Sequence, residues 1–282
     1  PPGVGVMDKV FSRKVLGILA VLAFALLFVP GLFAPEHLVD GASFEPWLGF
    51  GSEGAPLGSD RSGNALHRYA MQGAAVVAGP SLIAGLVVMA FGVMGGLLAC
   101  AGWPRMEAAV QGLGELVGAL PRMVVILVVA LLLPKDARSL TPIALTWALL
   151  SSPGAMDEAA AVAGRLGGTR FVEALRAHGF SGFRIYLVHV VGMNLRPVLV
   201  RQGVDTLVQV VFLEIGLSYL AVQDSEPSFT HGDSTRSWAD LLYMGYGYFL
   251  EVPSGHALLL GLGLVGVVAL FGVLVNRVAR AR

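Results

Sequence analysis

The chain has 282 residues, 55% of them hydrophobic and only 13% charged, with a formal net charge of zero and a mean hydropathy of +0.73. A soluble domain carries about 25% charged residues, so this composition belongs to a polytopic membrane protein, and the balanced charge speaks against the basic face that nucleic acid requires. One cysteine, Cys100, excludes an intrachain disulfide and a cysteine-based metal site, while 37 glycines suit helices that approach closely within a bilayer.

Residues 1–6 precede Met7 and are set aside as an extension. The basic segment 1–14 carries Lys9, Arg13 and Lys14, and an uncharged run at 15–35 follows. That run exceeds a signal-peptide core and no small-x-small cleavage site follows it, so it reads as an uncleaved first span. Residues 36–78 form a polar external connection in which Ser62 or Asn64 is placed to cap a short interfacial helix. A second span is expected at 80–103, then a tight turn with Pro104 and Arg105, then a third span at 107–133. Pro121 inside the third removes a backbone hydrogen bond and predicts a kink. The uncharged stretch between Arg138 and Asp157 reads as span four. Span five begins between Val198 and Thr206 and ends near Val222. An outer loop at 223–252 holds five acidic residues and Trp238, and span six at 254–276 leads to the basic tail 277–282. With both termini inside, the inner segments hold thirteen Lys and Arg against five outside, a bias that places both ends and the segment 163–197 in the cytoplasm.

Within that segment, residues 171–194 form a polar island between hydrocarbon-loving runs. Phe183, Tyr186, Leu187 and Val190 recur as one helical stripe. Ser181 is placed to cap that helix, and Gly179 suits a left-handed helix end before it. The pattern predicts helix, sharp turn, helix.

Glu173-Ala174-Leu175, three residues and Gly179 resemble the EAA loop of ABC importer permeases. Further motifs follow in order. Residues 56–63 (PLGSDRSG) resemble the family's PLGTDxxG, and 115–121 (ELVGALP) its DILLALP. Ser152-Pro153-Gly154 resembles WPG, 214–220 (EIGLSYL) resembles EASLSFL, and Ser237-Trp238 resembles PSW. Together they resemble the C-type permease subunit of dipeptide, oligopeptide and nickel importers. The departures are Leu175 for a second Ala, Gly192 for a Pro, Asp157 and Glu158 for basic residues, Arg122 after Pro121, and a longer outer loop before Trp238.

The resemblance implies an all-α, six-span type I importer permease in a bacterial inner membrane, with residues 79–276 as its five-helix core. It implies a second permease chain, two ATPase subunits and an external solute-binding protein as partners, and a short peptide, nickel chelate or other small solute as substrate. The coupling residues it implies are Glu173, Ala174, Arg176, His178 and Gly179. The chain has no G-x-x-x-x-G-K-[ST] loop and no Gly-Lys pair, so ATP and Mg belong to the partner ATPase and this chain is expected to hold no cofactor.

Three ionisable residues fall inside predicted spans: Glu115, Arg122 and Glu214. Such residues are costly in a bilayer and mark either a translocation path or a structural hydrogen bond. The six histidines show no metal-ligand spacing. Two alternatives stand beside the importer reading. One is a transporter driven by an ion gradient. The other is an intramembrane enzyme using Glu115 or Glu214, for which the sequence offers no complete catalytic set.

Overall fold

A computed structural model describes residues 4–35, 44–101, 104–134, 138–165, 169–223, 228–231, 235–247 and 255–280. Parts of the 36–78 connection, the end of the expected 80–103 span, parts of the outer loop 223–252 and the last two tail residues lie outside them. The described chain is helical throughout, with two isolated bridges in the 44–66 loop and no strand. Helix α1 spans Val4–Phe28 and tightens into a 3-10 turn at Val29–Phe33. Helix α2 spans Leu66–Ala101, α3 Pro104–Gly118, α4 Arg122–Leu132 and α5 Leu140–Arg165. The short α6, Thr169–Ala177, is followed by a π-helical segment, Arg184–Leu195, that runs directly into α7, Arg196–Gln223. Helix α8 spans Trp238–Gly247 and α9 Gly255–Arg280.

The 36-residue α2 is the axis of the bundle and packs chiefly on α5 and α7. Its glycines set how close those helices come. A Cβ at Gly85 would stand 2.8 Å from the Gly203 carbonyl oxygen of α7, so the two backbones touch where both residues are glycine. At one end of the bundle the main core draws in α1, α4, α8 and α9; at the other, a smaller core joins Cys100, Ala159, Val172, Ile185, Leu195 and Leu199.

The structure departs from the sequence reading in four places. Helix α2 begins at Leu66, well before Pro80, and among the described residues of the 36–65 connection there is no separate interfacial helix. Pro80 is therefore interior to a helix, and the Ser81 hydroxyl donates to the Val77 carbonyl at 2.6 Å, covering backbone that the proline disturbs. Neither Ser62 nor Asn64 caps it. Both instead donate their backbone N–H groups to the Asp60 carboxylate. Second, Pro121 does more than kink its span: α3 and α4 meet at 75°. Third, α5 continues through Asp157 and Glu158 to Arg165, because Glu158 forms an ion pair with Arg201 and accepts a hydrogen bond from Gln202 on α7. Fourth, the fifth apolar helix starts much earlier than Val198, as one continuous unit over Arg184–Ala221.

Among the described residues, four helices can cross a membrane by length and composition: Lys14–Phe33, Leu66–Ala101, Arg184–Ala221 and Gly255–Arg280. A fifth is reached if α3 and α4 count as one broken span. The protein is thus an all-helical chain with several membrane-spanning helices.

Candidate functional site: the helix-turn-helix at 169–195

Helix α6 (TRFVEALRA) is strongly two-sided. Val172 is buried, and Phe171 and Leu175 pack beside it against the small core, while Glu173, Ala174, Arg176 and Ala177 are exposed. A nine-residue helix is too short to persist by itself in water, so its apolar face on the bundle holds it in place.

Its end is a complete Schellman motif. The Phe180 N–H donates to the Leu175 carbonyl at 3.2 Å and the Gly179 N–H to the Arg176 carbonyl at 2.9 Å. Gly179 has φ +80°, the left-handed conformation expected from sequence, and a Cβ there would meet nothing, so backbone strain alone selects glycine. Phe180 and Leu175, both partly buried against the small core, supply the apolar contact that accompanies this motif. The His178 ring nitrogen donates back to the Ala174 carbonyl at 2.7 Å, and Ser181 caps the next helix by accepting from the Arg184 N–H at 3.4 Å. Across the turn, Arg176 donates to the Tyr186 hydroxyl at 3.3 Å, and Arg184 lies over the Phe180 ring.

The second arm corrects the predicted stripe. Phe183 is 75% exposed and Leu187 52%, whereas Ile185, Val190 and Leu195 are buried. Five residues make about 1.4 turns of an α-helix, so no α-helical face keeps a five-residue repeat. The π-helical i→i+5 bonding over Arg184–Leu195 changes the phase. Gly192, standing where the resembled family has Pro, lies inside this segment, which keeps its backbone N–H available to the helix. Phe183, Leu187 and Met193 (61% exposed) consequently stand out from the arm.

The three path candidates lie in three different surroundings. Glu115 on α3 borders a polar cleft of about 520 Å³ with Gln111 and Asp157. Arg122 begins α4 at the 75° bend and is exposed. Glu214 on α7 is fully buried; its Oε1 accepts from Ser218 at 2.8 Å and its Oε2 finds no hydrogen-bond partner among the described residues. Between α4, α5 and α7 lies an apolar cavity of about 390 Å³, edged by Trp147 and Gln209, which are joined by a hydrogen bond from the indole at 3.0 Å. Sequence reasoning passed over Asp157 as a partner of Glu115 in one cleft. It also passed over Ser218, although a hydroxyl four residues after a carboxylate on one helix face is a readable signal.

A comparison with protein-family models and with curated proteins finds no match to this chain.

Proposed function

We propose that this chain is the permease subunit of an ATP-driven importer, forming half of a translocation path for short peptides, nickel chelates or another small solute. In this reading the α6 face carrying Glu173, Ala174, Arg176 and His178 fits a groove on a separate ATPase at the cytoplasmic side. The observation that carries it is the mounting of α6. Its polar face is exposed and its apolar face is locked by Val172, Phe171 and Leu175 into a core shared with α2, α5 and α7. A push on that helix therefore reaches α2 and the π-helical segment directly, and α5 and α7 through the core they share.

Six crossings follow if the α3–α4 pair counts as one and α5 as another. Helix α5 is 26 residues long, and its Thr, Ser and Pro content is tolerable where α2 and α7 flank it. Both termini and α6 then share the cytoplasmic side of a bacterial inner membrane. A second permease chain completes the path, and an external solute-binding protein delivers the substrate. ATP and Mg bind on the ATPase partners.

The test is the assembled complex. Glu173→Ala and Gly179→Val are each expected to abolish substrate-stimulated ATP hydrolysis while membrane insertion persists. Normal coupling in both variants contradicts the proposal. So does substrate accumulation by the chain alone under an ion gradient, the behaviour of a secondary transporter.

A further inference from the structure

Glu214 is the first member of a continuous line of hydrogen bonds that leaves the membrane-spanning part of α7. Ser218, one turn further along, donates to Glu214 Oε1 at 2.8 Å. The Ser218 hydroxyl meets the Thr230 hydroxyl at 2.7 Å, Thr230 meets Ser228 at 3.1 Å, and Ser228 meets His231 Nδ1 at 3.0 Å. Glu214 and Ser218 are fully buried, Thr230 nearly so, and His231 is 9% exposed. The turn at 228–231 is held in register by its own backbone, since the Thr230 N–H donates to the Ser228 hydroxyl at 3.2 Å.

Proton counting fixes the direction. A carboxylate only accepts, and each hydroxyl owns a single proton. Once Ser218 gives its proton to Glu214, it must accept from Thr230, Thr230 from Ser228, and Ser228 from the Nδ1–H of His231. Every proton in the line points toward the buried carboxylate.

We propose that Glu214 is a proton-loading site and that Ser218, Thr230 and Ser228 relay the proton to it from His231. In the transfer, the Nδ1–H bond of His231 breaks as a proton passes to Ser228. Each hydroxyl accepts one proton and passes its own along, and Ser218 delivers to Glu214 Oε1. The imidazolium becomes neutral imidazole and the carboxylate becomes the acid. Three hydroxyls reverse orientation and no other group changes. The charge cancelled is one that is costly within a span. Asp240 and the Ser237 hydroxyl at the start of α8 face Glu214, and Arg138 lies over the Phe229 ring beside His231 on the turn; Asp240 and Arg236 in turn face Tyr69, which donates to Asp60. Glu214 Oε2 has no donor at hydrogen-bonding distance among the described residues, the Ser237 hydroxyl being nearby, whereas Asp60 accepts bonds at both oxygens. The proposal is independent of ATPase docking.

The test is infrared difference spectroscopy of the full chain in lipid nanodiscs after a rapid drop in pH. A carboxylic-acid C=O band is expected to grow in, to vanish in Glu214→Gln, and to shift in Glu214→Asp, which keeps an acid at the position. Thr230→Val preserves shape and cuts the relay. It is expected to keep the band but slow its appearance by at least about a hundredfold, the lower edge of what a positioned proton donor contributes. A band that survives Glu214→Gln overturns the proposal, as does a band that appears equally fast in Thr230→Val. If Glu214→Gln does not insert, an unshifted band in Glu214→Asp overturns it as well.

Discussion

The two ends of the bundle are built on opposite rules. At the end holding residues 44–73 and 228–240, loops satisfy one another. The Asp60 carboxylate, 4% exposed, accepts from the Ser62 and Asn64 N–H groups, the Asn64 amide and the Tyr69 hydroxyl. Ser59 accepts from the Leu48 N–H and donates to the Glu45 carbonyl. Trp238 is buried against Gly73 and donates its indole N–H to the Ala70 carbonyl at 2.9 Å. Ser237 and Asp240 start α8 with a reciprocal capping box: the Ser237 hydroxyl accepts from the Ala239 N–H and the Asp240 carboxylate from the Ser237 N–H. At the other end, α6 turns charged residues outward, and Phe183 and Met193 stand exposed on the arm that follows. The first end spends its polar groups on itself; the second presents them. Substitutions at the first should therefore read out as stability, and at the second as lost partnership.

The largest effect is expected from Asp60→Ala, which orphans four donors around a buried carboxylate. Unfolding in mild detergent should lose roughly 2–4 kcal/mol. A loss no larger than that of an ordinary surface substitution would remove the contrast between the ends. Gly179→Val comes next. Forcing a β-branched residue into the left-handed region costs about 1–2 kcal/mol, and Gly179→Asn should recover most of it, because Asn tolerates that conformation. Equal loss with Asn and Val would mean that space, not backbone strain, selects glycine there.

Asp240 sharpens the comparison through pH. Burial pushes its carboxyl above the usual carboxylate range, although hydrogen bonds from Ser237 and the nearby Arg236 pull the other way. A group raised on folding contributes stability that is complete below its unfolded pKa and lost as pH rises through the folded one. The native chain should weaken across that window, and Asp240→Asn, which keeps an acceptor for the Ser237 N–H, should flatten the profile. A profile unchanged by the substitution contradicts this. The smallest stability effect is expected from Glu173→Ala on the exposed face of α6: an unfolding temperature indistinguishable from the parent, despite the loss of coupled ATP hydrolysis.

Much of this was legible in the sequence because the signals were local. Gly179 and Ser181 announced a helix end and a helix start, and the hydrogen bonds around both are the expected ones. The uncharged run before residue 35 marked the first apolar helix, and Pro121 marked the break between α3 and α4. What the sequence hid depends on partners distant along the chain. Helix α5 carries Glu158 only because Arg201 and Gln202 meet it from α7. The 185–190–195 repeat becomes visible only with π-helical bonding, since the same residues also spell an α-helical stripe at 183, 186, 187 and 190. The Glu214 line needs a turn at 228–231 that folds back onto α7, which no local pattern indicates.

The most direct test of the central claim is cross-linking from the outward face of α6. Arg176→Cys, carrying a photoactivatable probe in native membranes, is predicted to capture a nucleotide-hydrolysing protein from the cytoplasmic side, with capture lost when Gly179→Val is added. Labelling of Arg176→Cys by an impermeant reagent from the external side, or the absence of any nucleotide-hydrolysing partner in the cross-linked product, would contradict the account.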